Sequence, residues 1–256
     1  MSTELEVAIR KILVKDFSKA MGFDKETGLL PNGKKRFSGM PFVGFRYSEQ
    51  TPKILIVGED IGSDECVKNS TKDVNGTPLY YHDFHSKREN CVNMAGKYYA
   101  HLAGTYMTAL YLLRKCDKFK DMWEESMCEK TAHWALKMLS ASQIAEIAHA
   151  IALTNLHKFV TVDRKGKSGG DDRIWIDHDK EFATFIEEIK CFAPDIIILQ
   201  AINSISKAEI EQIKQAVGGA SVYKLTHPST RRKGGRIVQN LIIDPLREQG
   251  YKEETL

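Results

Sequence analysis

No uninterrupted apolar run in this sequence approaches the about 18 residues that a membrane-crossing helix needs. Its start, Met1-Ser-Thr-Glu-Leu-Glu-Val7, also lacks the basic-then-apolar order of a signal peptide. These absences predict a cytoplasmic protein with no membrane partner. Charge of one sign is scarce too: 37 Lys and Arg against 34 Asp and Glu leave +3 with His neutral. Bulk charge therefore announces neither a nucleic-acid nor a membrane-surface protein. The five cysteines, Cys66, Cys91, Cys116, Cys128 and Cys191, form no C-x-x-C pair and have no His at zinc-finger spacing. That pattern predicts free, mostly buried thiols, and it disfavours a clustered iron–sulfur site. Internal repeats and low-complexity stretches are missing as well, and the lack of both a G-x-G-x-x-G fingerprint and a Walker G-x-x-x-x-G-K-[ST] ranks a general nucleotide-binding protein last.

What is present is an ordinary core-forming composition: 256 residues, 42% hydrophobic and 28% charged. A chain of this length can bury about three-quarters of its unfolded surface, and a single domain over residues 1–256 is expected, with an N-terminal helix and basic loop (1–50) packing on it. Leu5, Ile9, Leu13 and Phe17 recur at helical spacing before Gly22, Pro31-Asn-Gly33 and the basic Lys34-Lys-Arg36. Lys53-Ile-Leu-Ile-Val57 reads as a buried parallel strand that ends in the turn Gly58-Glu-Asp-Ile-Gly62. Residues 66–92 read as an irregular surface segment. Two long helices are predicted from Asn93 to Lys115 and from Phe119 to Leu139, the second placing Met122, Trp123, Met127, Trp134 and Leu136 mostly in the core.

A helix around Ile144 and Ile147 then gives way to a strand, Ile151 to Leu156, with Asn155 at its end, and a polar loop follows from Asp163 to Asp172. Residues 179–192 form an amphipathic helix, and Pro194-Asp-Ile-Ile-Ile-Leu-Gln200 is the clearest strand. Ser206, with Glu209 as capping-box partner, starts a helix to about Ala216; Gly218-Gly219 stops it, and Ser221-Val-Tyr-Lys-Leu225 is the last strand. Alternating strands and helices predict an α/β fold, three layers (α/β/α) around a central, mostly parallel four-stranded sheet. Ligands of such sheets bind at the carboxyl ends of the strands.

Those ends carry polar groups: Glu59 and Asp60 after the first strand, Asn155 after the next, His227 and Ser229 after the last. Singly, each has a structural use, as a helix cap, a loop anchor or a turn before Pro228. In this order they resemble the uracil-DNA glycosylase superfamily, whose members pair a first motif of the type G-Q-D-P-Y or G-E-A-P-G with a C-terminal H-P-S and place an Asn at a strand end between them. The matching segments are Val57-Gly-Glu-Asp-Ile-Gly62, Leu153-Thr-Asn155 and Thr226-His-Pro-Ser229, and the resemblance spans about residues 50 to 245.

The resemblance implies excision of uracil or another deaminated or damaged base from single- or double-stranded DNA, by a monomer that flips the base out and needs no metal or cofactor. Asn155 is the implied base reader, with Gly58 and Gly62 shaping the loop around the base, and His227 stabilises the departing base. Asp60 stands where one branch has its water-orienting carboxylate and Glu59 where another has its glutamate. Tyr99, or alternatively Tyr80, is the stacking platform, and Ser229, Arg231, Arg232 and Lys233 hold DNA phosphates. Ile61 replaces the Pro of the first motif, no Tyr or second His follows it, and Thr230 stands where many relatives have Pro. The cysteines of the cluster-bearing branch are missing, with Cys191 displaced from the expected place. The chain is thus identified as a divergent, cluster-free member. The alternative is a catalytically inactive protein of the same fold that binds a modified base, nucleotide or nucleic acid.

Overall fold

A computed structural model describes residues 4–37, 39–59, 100–123, 129–162, 175–200, 202, 204–226 and 237–252. Helix α1 (Glu4–Arg10) runs on through a π-helical stretch, Lys11–Phe17, into α2 (Ser18–Met21), which places Ile9, Leu13 and Phe17 on one buried face as the spacing predicts. The segment read as a basic loop contains a short strand, β1 (Lys35–Phe37), followed by β2 (Phe42–Val43). β3 (Ile54–Gly58) is the first apolar run of the sequence reading.

After β3 come α3 (Ala100–Leu113), α4 (Asp117–Lys120), α5 (Ala132–Lys137) and α6 (Ala141–His149). The long helix predicted from Phe119 to Leu139 does not form. The Asp121 N–H closes the end of α4 on Phe119 O, and Thr131 leaves helical geometry to cap α5, its side chain accepting from Trp134 N–H. Thr131 also bridges Ile237 in antiparallel fashion, which fixes an extended residue inside the predicted helix. Met122 and Leu136 are buried as expected, but Trp134 is 63% exposed and is not core. Then follow β4 (Ile151–Asn155), β5 (Phe159–Thr161), α7 (His178–Phe192), β6 (Ile196–Gln200), α8 (Lys207–Ala216) and β7 (Ser221–Leu225). A π-helical turn, Gln239–Ile243, leads into α9 (Asp244–Glu248).

The main sheet has the order β2-β4-β3-β6-β7, five strands where four were expected. The four predicted strands stand side by side. β6 and β7 pair in parallel, and bonds from Leu156 N–H to Gly58 O and from His157 N–H to Glu59 O step in the same sense along β3 and β4. The two-residue β2 adds the fifth place, with Gly44 N–H bonding Ile151 O and Arg46 N–H bonding His149 O in the opposite sense. β1 and β5 form a separate antiparallel pair, Lys35 opposite Thr161.

Contacts cluster into two compact units. One draws on Met1–Val43, Val57–Lys87 and Leu153–Ala193. Here α7 packs on α1 and its π-helical continuation, and Phe17, Phe23, Phe37 and Phe159 form an aromatic core in which Phe23 and Phe37 stack at 4.7 Å. The other draws on Gly44–Ile56, Arg88–Ala152 and Pro194–Leu256. In it α3 packs on α5 and α6, and α8 and α9 on β7. The capping box of α8 forms as its sequence predicts: Glu209 N–H donates to Ser206 Oγ and Ser206 N–H to Glu209 Oε2. β7 alternates in burial as an edge strand should, and the Gln249 side chain brackets Lys224, accepting from its N–H at 2.7 Å and donating to its C=O at 2.8 Å.

Candidate functional site

The end of β3 and the end of β4 meet closely in the first unit. A Cβ on Gly58 would lie 2.8 Å from Asn155 Oδ1, so only glycine lets the Asn155 amide rest against the β3 backbone. Asn155 is 4% exposed, yet its Nδ2 has no hydrogen-bond partner among the described residues. Leaving a buried donor unpaired costs about 1–3 kcal/mol, so Nδ2 is a buried donor with capacity for an acceptor. Glu59 directly follows Gly58 and is half-buried, which brings a carboxylate and an amide to neighbouring strand ends. Of the predicted site residues, Gly58, Glu59 and Asn155 come together; Asp60, Gly62, Tyr80, Tyr99, His227, Ser229, Arg231, Arg232 and Lys233 lie outside the described residues.

The chain matches no protein-family model, no curated protein and no solved structure. Its chemistry is therefore built from its own residues.

Beneath Asn155 lies a polar network that the sequence reading missed. Lys158 is fully buried; its Nζ donates to Asn155 O at 2.8 Å and to Thr154 Oγ1 at 3.2 Å, and pairs with Glu188 Oε2. Thr154 Oγ1 in turn donates to Glu188 Oε1 at 2.7 Å, and Glu188 is also fully buried. Burial pushes the Lys158 ammonium down and the Glu188 carboxyl up from their ordinary values, each shift opposed by the partner's charge. A lysine this deep needs its whole stem enclosed, and a Cβ on Gly39 would strike that stem. One legible signal existed: Glu181 and Glu188 stand seven residues apart on the face of α7 that also carries Phe182, Phe185, Ile189 and Phe192. Two acids in an apolar stripe require buried partners.

Glu181, 1% exposed, accepts from Ile176 N–H at 2.6 Å and Asp177 N–H at 3.2 Å, and the Lys158 backbone N–H also donates to it. Burial raises its carboxyl above the ordinary 4.5, against the pull of these donors. A carboxyl raised on folding contributes stability that is complete below 4.5 and lost as pH rises through the folded value. Relative to Glu181→Gln, the wild type therefore loses stability over that interval and levels off above it. Urea unfolding at successive pH values reads the difference, and parallel curves would refute the shift. Nearby, the His157 ring lies 4.5 Å from Trp175, which meets His178 at 4.9 Å.

Cys116 and Cys191 are free but half-buried rather than buried, and burial raises both thiols. Cys66, Cys91 and Cys128 lie outside the described residues. Among the described residues no group of three or more His, Cys, Asp or Glu side chains is placed to hold a metal ion, and no helix is long and apolar enough to cross a membrane.

Proposed function

We propose that this chain is a DNA glycosylase that releases uracil or a related deaminated or damaged base, built on the α/β/α arrangement of the uracil-DNA glycosylase superfamily. The observation that carries the proposal is the Asn155 amide, buried at the end of β4 against Gly58 with Nδ2 unpaired among the described residues. An amide offers one donor and one acceptor side by side, matching uracil O4 and N3–H; the same edge of cytosine presents the reverse polarity. The four predicted strands standing adjacent in the sheet also support it.

In this mechanism the base leaves the stack and seats on Asn155. Asp60 or Glu59 orients a water molecule and takes its proton as the water oxygen bonds to the sugar C1′ and the N-glycosidic bond breaks. The bonding electrons leave with the base, whose charge His227 stabilises at O2, and an abasic site remains. Tyr99 or Tyr80 stacks on the flipped base, while Ser229, Arg231, Arg232 and Lys233 hold phosphates.

The test is alkali-revealed cleavage of single- and double-stranded oligonucleotides that carry one uracil, with Asn155→Ala as control. Cleavage by the wild type, lost in Asn155→Ala, is expected. Base binding that depends on Asn155 without release of uracil, hypoxanthine or xanthine would replace the enzyme by a base-binding protein.

A further inference from the structure

On the first unit, α1 and its π-helical continuation line an open groove of about 370 Å³ with Val7, Arg10, Lys11, Val14, Lys15 and Lys25. Four of the six lining residues are cations and none is an acid. Folding does not explain the groove. Ile9, Leu13 and Phe17 supply the buried face of this helix, whereas Val7 is 60% exposed and lends a β-branched side chain of modest helix propensity to no core. Lys11 and Lys15 stand four residues apart on one helix, a like-charge spacing that destabilises a helix on its own. Lys11, Val14 and Lys15 all belong to the seven-residue π-helical stretch, a rare geometry that recurs at functional sites.

We infer that this groove binds the phosphates of a nucleic-acid strand. Several cations around an exposed Val7 and a half-buried Val14 fit a ligand that repeats negative charge along its length and carries apolar sugar surface between the charges. A single small anion would use neither the valines nor the spread of charge. The polyanionic class follows from the groove itself; its identity as DNA rests on the glycosylase reading.

The experiment measures anisotropy of a labelled oligonucleotide with no deaminated base, across a salt series, using the full chain. Lys11→Glu/Lys15→Glu should weaken binding about tenfold or more and make the log–log salt slope shallower by about two. Lys11→Arg/Lys15→Arg should preserve both. NMR signals of the Val7 and Val14 methyl groups should move on titration with the oligonucleotide, which distant charge effects alone would not cause. Unchanged affinity in the charge-reversed variant, or stationary valine methyls, overturns the groove. Valine shifts with tripolyphosphate or polyglutamate but not with the oligonucleotide overturn the nucleic-acid assignment. Oligonucleotide binding in the groove without release of any base would refute the glycosylase and leave the groove standing.

Discussion

Lys158→Met is expected to destabilise the protein by about 3–5 kcal/mol, the usual consequence of removing one member of a buried ion pair. The methionine keeps the length of the stem, so little of the loss comes from a cavity. It comes from Glu188, fully buried, which keeps the Thr154 hydroxyl but loses its cation. Asn155 O simultaneously loses the donor that pins it at 2.8 Å. Lys158→Met/Glu188→Leu should recover much of this stability, because neither member of the pair is then left buried opposite a missing partner. The single variant also carries a pH signature. With the lysine gone, the burial that raises the Glu188 carboxyl is no longer opposed by a neighbouring cation. The folded variant then favours the protonated acid, so its deficit is smallest below the ordinary 4.5 and grows as pH rises through the raised value. Urea unfolding of the wild type and both variants between mildly acidic and neutral pH checks this. A loss below about 1 kcal/mol at neutral pH would mean that the pair contributes as a neutral hydrogen bond.

Under the proposed glycosylase activity, Gly58→Ala should reduce base release by about 100-fold, the scale set by small displacements of a positioning group, while leaving the protein folded. The new methyl group would lie 2.8 Å from Asn155 Oδ1, closer than carbon and oxygen tolerate. The next contact is at 3.9 Å, with the Thr154 carbonyl, so the backbone around it has room. The clash is therefore relieved by rotating the Asn155 amide away from β3, the motion that disturbs its alignment with a base edge. Steady-state kinetics on a uracil oligonucleotide would read the loss, with circular dichroism to confirm folding. Full activity in Gly58→Ala would show that the close approach does not position the amide.

The sequence made the strand-and-helix alternation readable where its signals are local. Ile54 to Val57 and Ile196 to Leu199 are continuous apolar runs, and Ser206 with Glu209 is a cap written in four residues. What it concealed depends on distant partners. β1 exists because Lys35 meets Thr161, 126 residues later, and Thr131 is extended because it meets Ile237. Helical spacing across 119–139 carries no trace of that bridge. The site divides likewise: Asn155 and Gly58 were legible as polar and small groups at strand ends. The Lys158–Glu188 pair spans 30 residues and joins a loop to a helix, and only the misplaced acids on the apolar face of α7 hinted at it.

The Gln249 bracket on β7 bears on the behaviour of the chain in solution. A sheet edge offers free N–H and C=O groups to any passing strand, which is how sheets grow between molecules. At Lys224 both groups are already engaged by one side-chain amide, which Pro245 C=O also holds in place at 2.8 Å. A foreign strand docking there would first have to displace that glutamine, so the middle of this edge is shielded from runaway strand addition by a single side chain 25 residues away.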